Sequence, residues 1–280
     1  MVKYQSGQVT VFESALFRTT STVIITDDLI LVVDPTWLPH EIKEIQNFVF
    51  TNKGHLPLYL LFTHSDYDHI IGYNAFPGAQ VIVSEAFENN AEKQKSLDGI
   101  LQFDDEYYIS RDYKIEFPKG DFLVKKDGQQ LKVGNTILTF YLATGHNQDG
   151  IFTVVEPTNI WIAGDYLSNI EFPYIYFSSY DYEDTLNKVE TILRNHEINF
   201  LIPGHGDIAF NHDEILKRKT ENLNYIQELR NSLEAGKEFD LEHLWEHYKF
   251  PRIMKQFHEG NIKLMKKEIE GKKAGGNFGE

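Results

Sequence analysis

Residues 63–69, with the sequence THSDYDH, place two imidazoles and two carboxylates within six positions. The apolar run 58–62 comes directly before them and predicts a buried strand. The i, i+2, i+4 spacing of His64, Asp66 and Asp68 lets their side chains share a face or curl toward one point. Neutral imidazole and ionised carboxylate bind zinc, manganese or iron(II). Taken alone, the stretch is also typical of a solvated loop in which Asp and Ser make turns.

Three later segments share one layout, in which an apolar strand is followed by a glycine and then by a potential ligand. Glycine lets the backbone turn sharply and approach a ligand closely, and active sites commonly gather at one edge of a sheet. Seven donors suit two ions bridged by a shared carboxylate better than one four-coordinate ion. The seven are His64, Asp66, Asp68, His69, His146, Asp165 and His205.

The elements that would position these donors alternate between strands and helices. Apolar runs bounded by turn residues predict strands at 9–17, 22–26, 29–33, 58–62, 80–84, 129–133, 136–143, 151–155, 159–163 and 199–202. Helical patterning predicts helices at 39–52, 85–97, 181–196, 212–236, 241–248 and 252–270. Strands with helices between them predict two β layers covered by helices.

The order of these segments resembles the metallo-β-lactamase-fold hydrolase superfamily, whose mark is His-x-His-x-Asp-His followed by a distant His, Asp and His. The resemblance covers roughly residues 9–208 and includes 32–36 (VVDPT), where the family places a strand ending in a structural Asp, here Asp34. It implies an α/β fold, namely an αββα four-layer sandwich with the site at one rim. We expect a catalytic domain at 1–208, with 85–128 as a candidate lid insertion, and a C-terminal helical extension at 209–280.

The resemblance also implies two metal sites that share a bridging carboxylate. Carried over by position, His64, Asp66 and His146 hold the first metal, Asp68, His69 and His205 hold the second, and Asp165 bridges. The family's second His is Asp66 in this chain. The oxygen-reducing diiron branch of the superfamily also has a carboxylate there, and the harder oxygen favours iron or manganese more than an all-imidazole site would. The expected cofactors are two divalent metal ions, with zinc first and iron or manganese as the alternatives.

The implied activity is cleavage of an ester-like bond in a small molecule, such as a lactone or a thioester, as in lactonases and glyoxalase II. A metal lowers the pKa of bound water from about 15.7 to about 7, so a hydroxide between two ions is the expected nucleophile. Asp68 is expected to orient the nucleophile and pass its proton to the leaving group. Tyr166, or a tyrosine of segment 173–176, is expected to donate to the oxyanion.

Other activities stay open on the same fold. A non-haem iron oxidoreductase is favoured by Asp66, and a metal-dependent phosphodiesterase or nuclease is the third candidate. The net charge of −15 and the lack of a basic stripe weigh against nucleic acid. A His-x-x-Glu-His motif at 243–247 matches one metalloprotease group, but only 33 residues follow it, and we expect a packed or surface helix there.

The C-terminal helices carry basic side chains that either form solvated faces or recognise an anionic thiol carrier. These are Lys217, Arg218, Lys219, Lys263, Lys266 and Lys267.

Composition limits the remaining choices. The 280 residues are 41% hydrophobic and 14% aromatic, which is typical of a folded globular protein. The absence of cysteine excludes disulfides, thiolate zinc sites and a cysteine nucleophile. No long apolar run and no basic-then-apolar leader is present, so we expect a cytoplasmic protein that acts on a small molecule, without a membrane or nucleic-acid partner. The aromatic segment 172–182 is either a pocket wall or the interface of a homodimer.

Overall fold

The computed structural model describes residues 1–240, 242, 244, 248 and 250–275. Within these residues the strands form two sheets, one of seven strands in sequence order and one of five in the order β12-β11-β10-β9-β8. The first sheet contains β1 (Val2–Ser6), β2 (Val9–Glu13), β3 (Thr20–Ile25), β4 (Ile30–Val33), β5 (Leu58–Leu61), β6 (Gln80–Ser84) and β7 (Phe122–Val124). The second contains β8 (Gln129–Val133), β9 (Thr136–Leu142), β10 (Ile151–Glu156), β11 (Ile160–Ile162) and β12 (Phe200–Ile202).

Helices cover the outer faces of both sheets. They are α1 (Pro39–Asn52), α2 (Tyr67–Ile70), α3 (Glu85–Glu88), α4 (Lys93–Glu106), α5 (Ser179–Asn187), α6 (Val189–Asn195), α7 (His212–Glu234) and α8 (Pro251–Gly275). The sequence explains the start of α1, where Pro39 occupies the first turn and the Glu41 carboxylate accepts the backbone N–H of Leu38 at 3.0 Å.

Three hydrophobic clusters define the layers. Side chains from both sheets, such as Leu31 and Phe140, fill the space between the sheets. A second cluster packs the first sheet against α1 and α4, and a third packs the second sheet against the later helices. Strands β4, β5 and β11 are buried at every position because both of their faces are covered. The predicted αββα sandwich is therefore confirmed.

Strand direction brings the ligand-bearing loops to one edge. Strand β10 runs antiparallel to both β9 and β11, so β9 and β11 point the same way, and β12 is parallel to β11. The carboxyl ends of β9, β11 and β12 therefore lie at the same edge of the second sheet. In the first sheet, β4, β5, β6 and β7 are parallel.

Two predicted helices differ in extent from those observed. The helix expected at 85–97 is two helices, because Ser84 caps the short α3 and the longer α4 continues to Glu106. The helix expected at 181–196 is divided into α5 and α6, where the Lys188 N–H donates to the Thr185 carbonyl at 3.1 Å and tightens the turn.

The C-terminal helices share a core with the second sheet. Tyr225 of α7 and Met265 of α8 belong to the same buried cluster as Trp161 of β11 and Phe172. The extension thus packs as part of the outer layer. The 243–247 motif and most of the helix expected at 241–248 lie outside the described residues. Among the helices that the structure describes, none combines the length and apolar character needed to cross a bilayer.

Candidate metal centre

All seven predicted donors converge at the sheet edge. Ligand atoms of His64, Asp66, His146 and Asp165 lie within 4.8 Å of one another, and so do those of Asp68, His69 and His205. The local geometry of 63–69 is only partly extended, because the chain leaves β5 and enters α2 at Tyr67. Asp68 and His69 therefore come from a helical turn.

Asp165 joins the two groups of donors. Its Oδ1 lies 3.1 Å from Nε2 of His69, and its Oδ2 lies 3.4 Å from Nε2 of both His146 and His205 and 3.6 Å from Nε2 of His64. Oδ1 thus faces the second group of donors, and Oδ2 lies between the two groups. This is the position that a bridging ligand needs.

The other two aspartates each belong to one group. Oδ2 of Asp66 lies 3.1 Å from Nε2 of His146 and 3.6 Å from Nε2 of His64. Oδ2 of Asp68 lies 3.5 Å from Nε2 of His69 and 3.6 Å from Nε2 of His205. The division matches the two metal sites implied by the sequence.

The opposite nitrogen of each imidazole is held by a partner outside the cluster. Nδ1 of His146 donates to the Tyr174 carbonyl at 2.6 Å, and Nδ1 of His205 donates to the Phe17 carbonyl at 3.0 Å. Carbonyl oxygens only accept, so each Nδ1 carries the proton and each Nε2 presents its lone pair to the cluster. This is the tautomer that a metal ligand requires.

Asp34 organises the other two imidazoles. Its carboxylate accepts Nδ1–H of His69 at 2.9 Å, the backbone N–H of Thr63 at 2.9 Å and the Thr63 hydroxyl at 2.6 Å. Because the Thr63 proton goes to Asp34, Thr63 Oγ1 accepts Nδ1–H of His64 at 2.9 Å. The end of β4 therefore sets the orientation of two ligands that follow β5.

Glycine at the ligand-bearing turns is explained by close approach. A Cβ on Gly204 would lie 2.2 Å from Oδ1 of Asp165. Gly145 has φ +125°, and a Cβ there would lie 2.3 Å from the backbone of Tyr182. A side chain at either position would displace the bridging aspartate or the loop that carries His146.

The residues present fit a pair of divalent cations. Nε2 of His64, Nε2 of His69 and Oδ1 of Asp165 are buried, and none has a hydrogen-bond partner among the described residues. Leaving buried polar atoms unpaired costs free energy, whereas coordination to a cation would satisfy all three. Donors of this kind, imidazole nitrogen with carboxylate oxygen, are those of zinc, iron and manganese sites.

The electrostatics of the cluster favour added positive charge. Burial lowers the pKa of His64, but the carboxylates of Asp165 and Asp66 outweigh it and raise the pKa to about 10. Burial would raise the pKa of Asp165, but the surrounding imidazoles of His205, His69 and His64 hold it well below its ordinary value. Protons and metal ions compete for these sites, so binding of cations would release protons.

Tyr166 is placed differently from the expectation. Its hydroxyl donates to the Thr144 carbonyl at 2.7 Å and accepts the backbone N–H of His146 at 2.9 Å, and the residue is only 3% exposed. The hydroxyl proton is therefore committed to the backbone, which corrects the proposed role as an oxyanion donor. Tyr166 instead fixes the turn that carries His146. Tyr174 and Tyr176, from the alternative segment, line the cavity.

The cluster opens into a cavity of about 1050 Å³. One wall comes from the segment 86–102, including Asn90, Lys95 and Asp98, and the opposite wall comes from the aromatic segment after Asp165. The candidate lid insertion thus contributes to the cavity lining.

Glu171 also lines the cavity and is not among the residues predicted from the sequence. Its burial raises its pKa, and the charges of His205 and Asp165 act on it in opposite directions. The available signal was a single acidic residue in the otherwise apolar run 170–177 (IEFPYIYF).

Several basic residues of α7 have structural partners. Arg218 is 3% exposed and donates to Glu214 at 2.9 Å, to the Asp207 carbonyl at 2.8 Å and to the Leu167 carbonyl at 3.1 Å. Lys219 pairs with Glu190. These two side chains hold α7 against the rest of the fold, whereas Lys217 on the same helix is 64% exposed.

The sequence profile of the metallo-β-lactamase superfamily matches residues 15–205. The chain belongs to this superfamily. Among proteins of the superfamily, a probable metallo-hydrolase named YqgX from Bacillus subtilis (strain 168) is 28% identical over 149 residues. That alignment covers 51% of this chain and 64% of the relative. The predicted classification as a metallo-hydrolase fold is confirmed.

Solved structures agree on the fold. A metallo-β-lactamase from Pontibacter korlensis aligns with a TM-score of 0.55 at 15% identity, over 81% of this chain and 98% of that one. The stereoselective inverting sec-alkylsulfatase Pisa1 from Pseudomonas sp. aligns with a TM-score of 0.61 at 13% identity, over 80% of this chain and 41% of that one. At these identities the similarity establishes the shared architecture alone.

Proposed function

We propose that this metallo-hydrolase uses two divalent metal ions to cleave an ester-like bond, such as that of a lactone or a thioester, in a small molecule. The observation that supports it most is the bridging position of Asp165, whose two oxygens lie 3.1 to 3.6 Å from Nε2 of four histidines in two groups. Two bound ions would supply a nucleophile derived from water at neutral pH and would polarise the substrate oxygen.

Side chains of the protein itself would orient the reacting groups and transfer protons. Asp68 is the candidate proton carrier, with its Oδ2 3.6 Å from His205 at the cavity wall. Burial raises the pKa of Asp68, and the nearby carboxylates of Asp165 and Asp66 add to this effect against the imidazoles of His69 and His205. A carboxylate among the donors of the second group is suited to take a proton from the nucleophile and deliver it to the leaving group.

A donor to the developing oxyanion is best sought among the cavity tyrosines. Tyr176 lines the cavity, its side chain is 52% exposed, and its ring centroid lies 5.4 Å from that of His146. We propose Tyr176 in place of Tyr166 for this role, because Tyr176 lines the cavity and its ring lies beside that of His146.

A non-haem iron oxidoreductase is the second candidate, and Asp66 is the residue that favours it. Its carboxylate lies 3.1 Å from Nε2 of His146, within the first group of donors. An oxygen donor at this position favours iron or manganese relative to three imidazoles. A phosphodiesterase acting on nucleic acid is disfavoured by the acidic lining of the cavity and by the net charge of −15.

The test is a panel of lactone, thioester and phosphodiester substrates, run on protein whose metal content has been measured. Two metal ions per chain and turnover of a lactone or thioester are expected. Asp68→Ala should abolish turnover while the circular dichroism spectrum stays that of the parent. Undiminished turnover in that variant would refute the dinuclear hydrolytic mechanism, and bound iron with oxygen consumption would favour the oxidoreductase.

A further inference from the structure

The cavity above the metal ligands carries far more acid than base. Besides the aspartates of the candidate metal centre, it is lined by Glu92, Asp98, Asp149 and Glu171, whereas Lys95 is the single lysine or arginine among the described residues that line it. Nζ of Lys95 lies 3.1 Å from Glu92, so its charge is already paired. Two divalent ions would add four positive charges against seven carboxylates and one lysine. The cavity therefore stays negative with both ions bound.

Of these carboxylates, Glu171 is the one left without a partner. Asp149 accepts the backbone N–H of Ser65 at 3.2 Å and the amide of Asn90 at 3.1 Å. Asp98 accepts the Gln94 amide at 2.8 Å. Glu171 is half-buried and forms no hydrogen bond or ion pair with the residues that the structure describes. A half-buried carboxylate on the cavity wall attracts a cationic group that enters the cavity.

Aromatic side chains, two of them from the segment that carries Glu171, form a further part of the cavity lining. The ring of Tyr174 stacks on Phe257 with centroids 3.9 Å apart and lies 4.1 Å from the ring of Tyr176. All three rings line the cavity, and Tyr176 adjoins the metal ligand His146. Aromatic faces attract organic cations through their quadrupole, most strongly where water is excluded.

We propose that the substrate of this site carries a cationic group of the ammonium type, and that Glu171 with the aromatic wall of Tyr174, Tyr176 and Phe257 selects it. The inference rests on the proposed ester-cleaving function and names its substrate class. The ester-like bond would lie at the metal ligands while the cation occupies the space before Glu171. An anionic substrate would instead meet a cavity of its own charge sign.

A binding measurement tests the inference independently of catalytic turnover. Zinc-loaded protein is titrated calorimetrically with (2-hydroxyethyl)trimethylammonium and with 3,3-dimethylbutan-1-ol, which has the same shape without the charge. The cation is expected to bind about tenfold more tightly, corresponding to a desolvated cation–aromatic contact and a paired carboxylate. Glu171→Gln, which keeps the side-chain volume, is expected to remove most of this preference. Asp98→Asn, at a carboxylate that already has a partner, is the matched control and is expected to keep it.

Enzyme turnover supplies a second measurement, again with a charged compound and a neutral compound of the same shape. The thioacetate ester of thiocholine and its neutral 3,3-dimethylbutyl counterpart are compared by release of the thiol. The ratio of kcat/KM for the charged over the neutral ester is expected to fall about tenfold in Glu171→Gln, through a higher KM for the charged ester. Asp98→Asn is expected to retain the parental ratio.

The outcomes separate the inference from the function on which it rests. Equal binding of both alcohols to the parent protein, or an unchanged preference in Glu171→Gln, would overturn the inference. An equal loss of kcat on both esters in Glu171→Gln would also overturn it, because the residue would then act in the chemistry. Selective binding of the cation that depends on Glu171, without turnover of either thioester, would support cation recognition while counting against thioester hydrolysis.

Discussion

Asn261, on helix α8, is linked to His146 of the candidate metal centre through a single loop. Its amide nitrogen donates to the Pro173 carbonyl at 2.6 Å, and its amide oxygen accepts the backbone N–H of Ile175 at 2.9 Å. Tyr174, between these two residues, accepts Nδ1–H of His146 at 2.6 Å. Asn261 is fully buried. The C-terminal helix therefore sets the position of the carbonyl that orients a ligand at the sheet edge.

Asn261→Ala should weaken metal binding. With both bonds to the loop lost, the Tyr174 carbonyl is free to shift, and His146 loses its fixed orientation. Partners of metal ligands typically contribute about 10–100-fold in affinity, and we expect about tenfold for this more distant residue. Competition with a chromogenic chelator measures the affinity, and the visible spectrum of the cobalt-substituted protein reports the geometry at His146.

Glu268→Gln is the control for the docking of α8. Glu268 lies on the same helix and accepts the backbone N–H of Ser179 at 2.8 Å, on α5 rather than on the loop that reaches His146. This variant should lower the melting temperature without changing the cobalt spectrum. An identical effect of both variants on the spectrum would mean that α8 acts only through its overall packing.

Thr63→Val should remove the hydroxyl that orients His64 while preserving the shape of the side chain. The Thr63 hydroxyl links Asp34, at 2.6 Å, to Nδ1 of His64, at 2.9 Å. Valine leaves the buried His64 Nδ1 without an acceptor and no longer favours the tautomer with its lone pair at the metal. We expect metal affinity, measured by chelator competition, to fall at least about tenfold. The free energy of unfolding, measured by urea denaturation, should fall by about 1–3 kcal/mol.

Thr153→Val provides the matched control for the same substitution. Thr153 is fully buried on β10, and its hydroxyl has no hydrogen-bond partner among the described residues. Replacing that hydroxyl should leave metal affinity unchanged and should not decrease stability. If Thr63→Val resembled Thr153→Val in both measurements, the hydroxyl link between Asp34 and His64 would have no role in metal binding.

The convergence of the ligands could be predicted because each follows an apolar strand. A strand buried on both faces needs cover on each side, so the runs ending before His64 and Asp165 had to lie in the sheet interior. The run before His205 is the outermost strand of the second sheet, and its parallel pairing with β11 brings its carboxyl end to the same side as that of β11. The glycines before His146 and His205 marked the close approach of the backbone. These features are local in the sequence, and they indicate where the strands end and where the backbone turns.

The partners of the ligands could not be predicted from residue types. The carbonyls of Phe17 and Tyr174, which orient His205 and His146, belong to backbone groups that every residue has. Their selection depends on where distant loops pack. Glu171 is similar, because only the tertiary structure places its carboxylate in the cavity.

Two strands were missed, one because its residues are mostly exposed and the other because it is very short. Strand β1, Val2–Ser6, is exposed or half-buried at each position and pairs with β2 at the edge of the sheet. Strand β7 has only three residues, Phe122–Val124, and is fixed by its parallel pairing with β6. Backbone pairing rather than side-chain burial defines β1, whereas β7 also buries Val124 between the two sheets.

Arg111→Lys should destabilise the cavity wall formed by α4. The guanidinium donates through Nε and Nη2 to both oxygens of Asp104 at 2.7 Å and through Nη1 to the Trp37 carbonyl at 2.9 Å, and its side chain is 2% exposed. A lysine ammonium group cannot form this bidentate pair with the two carboxylate oxygens. We expect the free energy of unfolding to fall by about 1.5–3 kcal/mol in urea denaturation.

Lys114→Met serves as the comparison, because Lys114 pairs with Glu116 but is 79% exposed. Surface changes of this kind usually alter stability by less than about 0.5 kcal/mol. A loss in Arg111→Lys no larger than that of Lys114→Met would show that the bidentate pair does not anchor the wall.

Asp66→His should shift the metal preference of the site toward zinc. Oδ2 of Asp66 lies 3.1 Å from Nε2 of His146 and 3.6 Å from Nε2 of His64, so the residue occupies a ligand position in the first group. Histidine removes one negative charge and replaces a hard oxygen with imidazole nitrogen, which suits zinc better than manganese or iron(II). Protein loaded without oxygen in an equimolar mixture of the three metals, then analysed by mass spectrometry, should contain a higher zinc fraction than the parent. Asp66→Glu keeps the oxygen donor and should keep the parental ratio, and equal metal contents in all three proteins would show that Asp66 does not set the preference.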